Sequence, residues 1–246
     1  MSDKILLEGF ISIKSAINSK NRDIEKVYIS NKKRTRKSSY MKKLLTENNI
    51  DFDFSDYEKI DALANGSTHG GFVAVVSDRK FLAVRDLLKM KKNYIFYIEG
   101  IEDPFNLGST IRTLYAAGIG GVILKKRDWS KTSAIISKSS AGTFEKMDIA
   151  ICDDIKNTLS IIKNSEYSII SATQDDESVS LFDTEFKKKT VVVIGGEKRG
   201  ITCEILEASD KYLHIPYGND QFGYSLPAST ASTIISYEIL RQITKG

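Results

Sequence analysis

The chain has 246 residues, 41% hydrophobic and 28% charged, with a net charge of +4, a length that suits two modest domains better than one large one. Two cysteines, Cys152 and Cys203, make no disulfide framework, and two distant histidines, His69 and His214, make no zinc spacing, so no metal is expected. No run approaches the roughly eighteen apolar residues of a membrane span. KILLEGFISI is broken by Glu8 with no cleavage-type site after it, so a cytoplasmic protein without membrane association is expected.

The first third alternates in type. EGFISIKSAINS places Phe10, Ile13 and Ile17 at helical spacing. EKVYIS then predicts a strand, SSYMKKLLTEN a helix, IDFDFS a strand, SDYEKIDALAN a helix and GGFVAVVS a strand. Together they predict a small α/β module over residues 1–80. Residues 1–90 hold 17 Lys and Arg against 12 Asp and Glu, whereas residues 91–246 hold 19 against 20. The positive excess therefore lies in the first third, and much of it sits in NKKRTRKSSYMKK. Lys32, Lys33, Arg34 and Arg36 are either a solvated loop or a patch that contacts phosphates.

AVRDLLKMKKN reads as a short helix or a linker over residues 81–93. From Tyr94 a second alternation begins. YIFYIEG is a strand and NLGSTIRTLYAAG a helix whose apolar stripe is Leu107, Ile111 and Leu114. GGVIL is a strand, Ser133–Ser140 a helix and DDIKNTLSIIK a helix. YSIISA, TVVVIGG and KYLHIP are strands, and a long helix closes the chain from about Pro227. Short apolar strands between helices predict a mainly parallel sheet covered on both faces.

Three stretches carry candidate chemistry. In the first, Asn106 is a plausible helix cap after Pro104. Arg112 stands off the apolar stripe, in the early turns where the helix dipole favours anions. The second runs a strand into Gly195-Gly196, where backbone can approach a ligand closely. It is neither a P-loop nor a dinucleotide fingerprint. In the third, Ile215-Pro216 leads through a polar loop to Ser225-Leu226-Pro227 and a helix with a small-residue face, Ala228, Ala231, Ile235 and Ile239. That face predicts close approach of another element, and we expect a second copy of the chain.

In this order, Asn-x-Gly-x-x-x-Arg (Asn106, Gly108, Arg112), Ile-Gly-Gly-Glu-x-x-Gly (Ile194 to Gly200) and Ile-Pro…Ser-Leu (Ile215 to Leu226) resemble the SpoU/TrmH branch of the SPOUT methyltransferases. The resemblance covers roughly Tyr94 to Lys245, and the first third looks like the RNA-binding module that precedes this domain in many members. It implies an α/β domain over residues 94–246 with a C-terminal trefoil knot. It implies S-adenosylmethionine as cofactor, held mainly by backbone near Thr173, Gly195, Ile215 and Leu226. It implies methylation of a ribose 2′-hydroxyl in ribosomal or transfer RNA by a homodimer. Asn106, Arg112, Glu197 and Ser225 would be its catalytic residues. Arg112 would grip a phosphate with its planar fork and stabilise developing alkoxide, since a guanidinium is too weak an acid to serve as a base. Glu197 would fix the glycine loop or pair with a basic side chain such as Arg112, and Asn106 would orient Arg112 or the ribose. The chain departs from the pattern at Pro227, where the family carries Asn. A methyltransferase-like RNA-binding protein without transfer activity is the alternative.

Overall fold

The computed structural model describes residues 5–32, 35–64, 68–196, 199–219 and 224–245. The chain opens with β1 (Ile5–Glu8), α1 (Phe10–Ser19), β2 (Ile24–Ser30), α2 (Arg36–Glu47), β3 (Phe52–Ser55), α3 (Tyr57–Leu63) and β4 (Phe72–Val76). It continues with β5 (Leu82–Ala83), α4 (Val84–Lys89), β6 (Tyr94–Ile98), α5 (Pro104–Ala116), β7 (Gly121–Lys125), α6 (Ser130–Ser139) and α7 (Thr143–Lys146). It ends with β8 (Ile149–Cys152), α8 (Ile155–Asn164), β9 (Ser168–Ala172), β10 (Val179–Ser180), β11 (Thr190–Ile194), α9 (Cys203–Ala208), β12 (Lys211–His214) and α10 (Ala228–Lys245). These elements cluster into two compact units. One is Met1–Lys80 with Asp128–Lys146, the other Phe81–Arg127 with Met147–Gly246.

The first unit holds a four-stranded sheet in the order β1-β4-β2-β3 among the described residues. Only the β2–β3 pair is parallel. Ile13, Ala16 and Ile17 of α1 and Met41 and Leu45 of α2 recur at helical spacing and are buried with Leu7, Val27, Ile29 and Ala74. α2 starts two residues before the expected SSYMKKLLTEN because Thr35 caps it reciprocally with Ser38. Arg36 is therefore its first residue.

The unit also takes α6 and α7 from far along the chain. Arg22 and Glu145 form a fully buried pair, Nε lying 3.1 and 3.0 Å from the two carboxylate oxygens. Asn21 Nδ2 donates to the Glu145 carbonyl at 2.9 Å. Arg79 Nε donates to the Phe144 carbonyl at 3.1 Å, with its guanidinium 4.9 Å from the Phe144 ring centre. Gly142, at φ +78°, stands where any Cβ would overlap Ser15. A contiguous division at residue 80 hides this exchange, because sequence order does not reveal which surface buries Phe144 and Glu145.

Among the described residues the second unit holds an eight-stranded sheet, β10-β12-β9-β11-β6-β7-β8-β5, with its strand pairs parallel. Helices supply the crossovers that parallel pairing needs. The stretch 81–93 is not a free linker. β5 pairs with β8, and Val84, Leu87 and Leu88 of α4 are buried in the main core with Ile95, Tyr97, Ile123 and Val191. Burial pushes the Tyr97 phenol above its ordinary range. Strands β5, β8 and β10, only two to four residues long, are too short to show a period in the sequence.

Candidate active site at the strand ends

α5 is capped one turn earlier than expected. Asp103, not Asn106, is the N-cap, and its carboxylate accepts from the Asn106 N–H at 2.7 Å. Pro104 follows as the first helical residue, where its missing N–H costs nothing. Leu107, Ile111 and Leu114 form the buried stripe, as the spacing predicts. Gly118, at φ +77°, ends the helix. With the true start at Pro104, Arg112 sits in mid-helix rather than at the positive dipole end. Both Asn106 and Arg112 are exposed.

β11 feeds directly into Gly195 and Gly196. Gly196 and Gly200 exchange two backbone hydrogen bonds of 3.0 Å, closing the loop tightly. A Cβ on Gly195 would overlap Gly200, and one on Gly100 would overlap Gly196. Glycine at these positions is thus set by backbone meeting backbone. The loop is braced by Glu99, a residue that motif spacing did not single out. Its N–H donates to the Ile194 carbonyl at 3.0 Å, and its Oε2 accepts from the Thr202 N–H at 3.0 Å. Glu197, expected to brace the loop, lies outside the described residues.

The third stretch returns to the same place. The Leu226 N–H donates to the Tyr217 hydroxyl at 3.2 Å. Pro227 precedes α10 and accepts from the Ala231 N–H at 3.0 Å, closing the first turn. Beyond the carboxyl ends of β9, β11 and β12 lies a cavity of about 330 Å³. Thr173, Gly195, Ile215 and Leu226 all line it, as do Ser225 and Ala231. Ligands of open α/β sheets bind at such strand ends, and the volume falls at the lower end of small-molecule sites. Asn106 and Arg112 do not line it. They ride on α5, which packs against α10, whose first turns do.

The small-residue face of α10 is not a free surface. Ala228, Ile235 and Ile239 are buried within the chain itself, and Ala231 faces the cavity. Helical spacing shows that a face is covered but not by what, so this face gives no reason for a second copy. Of the basic candidates in the first unit, Lys32 and Arg36 are exposed, while Lys33 and Arg34 lie outside the described residues.

Comparison with known proteins matches residues 93–237 to the SpoU rRNA methylase family and residues 6–82 to the RNA 2′-O ribose methyltransferase substrate-binding family. The chain belongs to the SpoU rRNA methylase family. A Staphylococcus saprophyticus protein assigned to the TrmH family of tRNA/rRNA methyltransferases is 28% identical over 98% of this chain and 96% of its own. Among solved structures, the AdoMet-bound rRNA methyltransferase of Sinorhizobium meliloti has a TM-score of 0.80, at 18% identity, over 98% of this chain and 88% of that one. The SpoU methyltransferase AviRb of Streptomyces viridochromogenes, in complex with AdoMet, has a TM-score of 0.79, at 20% identity, over 99% and 92%. The fold of this SpoU chain is thus that of the SPOUT methyltransferases. Glu99 and Gly100, which belong to none of the three motifs, brace and crowd the glycine turn that lines the cavity.

Proposed function

We propose that this SpoU-family chain methylates a ribose 2′-hydroxyl of ribosomal or transfer RNA, with S-adenosylmethionine held in the strand-end cavity. One observation carries the reading. Thr173, Gly195, Ile215 and Leu226, drawn from separate stretches of the sequence, line one cavity. The cavity suits an amphiphile. Ile194, Leu213 and Leu226 give it apolar walls, and the glycine turn exposes backbone where no Cβ intervenes. S-adenosylmethionine, when bound, supplies an electrophilic methyl group on a sulfonium.

The chain's own residues would do the rest. Arg112 presents a planar fork to an RNA phosphate and stabilises charge developing on the ribose oxygen. Asn106 lies six residues before it on the same helix and would orient the ribose. Ser225, exposed at the cavity, would hydrogen-bond the incoming nucleotide. The substrate-binding family match and the basic first third support RNA as the partner. The hydrogen bond between Tyr217 and Leu226 holds the cavity loop next to Pro227, which supports activity over the non-catalytic alternative. A homodimer and a C-terminal trefoil knot belong to the same proposal. Exposed Phe105 and Tyr115 on α5 and Tyr237 on α10 leave apolar surface for a second copy.

Calorimetry with S-adenosylmethionine, followed by transfer of its labelled methyl group to total RNA and nucleoside analysis, tests the reading. Binding and a labelled 2′-O-methyl nucleoside are expected. Cofactor binding without transfer would leave the non-catalytic alternative, and no cofactor binding would end both the site and the function.

A further inference from the structure

A second cavity, of about 260 Å³, lies wholly within the first unit. Its buried lining includes Ile29 and Phe72, and its exposed lining includes Lys32 and Lys37. Tyr57, the first residue of α3, supplies an aromatic surface. Gly70 and Gly71 complete it, with φ of +59° and +84°, so bare backbone faces the space.

The aromatic surface is built in advance. The Tyr57 ring centre lies 4.9 Å from that of His69, which is fully buried. The Gly71 N–H donates to His69 Nδ1 at 3.1 Å, which leaves the ring proton on Nε2, 2.6 Å from Asp61 Oδ1. Asp61, His69 and Gly71 thereby fix Tyr57 and the glycine turn together. Lys32 Nζ lies 5.4 Å from the Tyr57 ring centre, a cation over an aromatic face.

The two cavity lysines rest on aromatic rings, Lys37 Nζ lying 5.8 Å from the Phe10 ring centre. Elsewhere in the unit Lys26, Lys43 and Lys80 sit within ion-pair distance of Asp53, Glu47 and Asp23. Among the described residues, Lys32 and Lys37 have no carboxylate at that distance. A free phosphate would suit the two lysines but not the apolar interior behind them. A flat apolar group carrying an anion suits both.

We propose that this cavity takes one unstacked nucleotide of single-stranded RNA, its base against Tyr57 and its phosphate between Lys32 and Lys37. Such modules read RNA by splaying bases onto aromatic side chains and tracking the backbone with cations. The proposal rests on RNA being the substrate, and it places a recognition point remote in sequence from the methyl-transfer cavity.

The test uses the full chain and a fluorescein-labelled single-stranded oligoribonucleotide of about ten nucleotides. Tyr57→Leu is expected to weaken binding by about tenfold with an unchanged salt slope. Tyr57→Phe, which keeps the ring, is expected to bind as the unaltered protein does. Lys32→Gln with Lys37→Gln is expected to weaken binding and flatten the slope by about 0.7, the share of one phosphate. Independently of any variant, the same oligonucleotide carrying 4-thiouridine is expected to cross-link the unaltered protein at the peptide containing Tyr57. RNA binding that is indifferent to Tyr57→Leu, with cross-links elsewhere, would overturn the pocket alone. An unaltered protein that binds S-adenosylmethionine but no RNA would overturn the RNA reading and this inference with it.

Discussion

Arg112 is the ninth of thirteen residues in α5, exposed and off the buried stripe. At mid-helix the dipole neither favours nor opposes its charge, because that effect fades within the terminal turns. In the proposed function its partner is an anion that the RNA brings. Since Arg112 does not line the cavity, Arg112→Ala is expected to leave S-adenosylmethionine affinity unchanged. Turnover should fall by about a hundredfold or more, the scale of removing one charge-stabilising donor. An interaction made mainly in the transition state is lost without ground-state cost. Arg112→Lys should not restore it, because a point charge does not reproduce the fork. Calorimetry and a methyl-transfer assay check the two halves. Undiminished turnover in Arg112→Ala would make the residue an ordinary surface charge.

Elements were legible in proportion to their length and period. The Leu107–Ile111–Leu114 stripe and the buried run of β11 stand out in the sequence. β5, with only two residues, does not. The start of α5 was misplaced because Asp103 and Asn106 are both good caps, and only the bond at 2.7 Å decides between them. The candidate cofactor residues come from the family resemblance that the ordered stretches carry, and the brace escapes it, since Glu99 and Thr202 lie 103 positions apart. α10 shows the same limit. Its small face was legible, but its partner is α5 and its Ala231 faces the cavity. The two roles separate in one variant. Ala231→Leu adds methylenes to the cavity side of the helix, where space exists, so the overpacking penalty on folding should stay below about 1.5 kcal/mol. Cofactor affinity should fall by at least about tenfold. A variant that binds the cofactor normally but sediments differently would return Ala231 to an interface between copies.

At the scale of the whole molecule, the family matches divide the chain near residue 82, whereas packing assigns Asp128–Lys146 to the first unit. The distinction has thermodynamic content. A fragment ending at residue 82 loses α6 and α7, and with them the carboxylate that Arg22 grips and the ring that Arg79 covers. It also uncovers the α1 surface against which α7 packs. Breaking a buried pair by removing one partner costs about 3–5 kcal/mol, although in a fragment water relieves part of this by reaching Arg22. A unit of about eighty residues has a total stability of similar size. The fragment 1–82 is therefore expected to unfold without a sharp transition near room temperature. Joining residues 128–146 to its end through a flexible glycine–serine linker should restore cooperative unfolding. In that rebuilt fragment Glu145→Ala should abolish the gain, because Arg22 then stays buried beside an empty position. Circular dichroism on the three proteins measures each step. A cooperative transition in fragment 1–82, matching that of the rebuilt form, would show that the α6–α7 segment merely rests on the unit rather than completing its core.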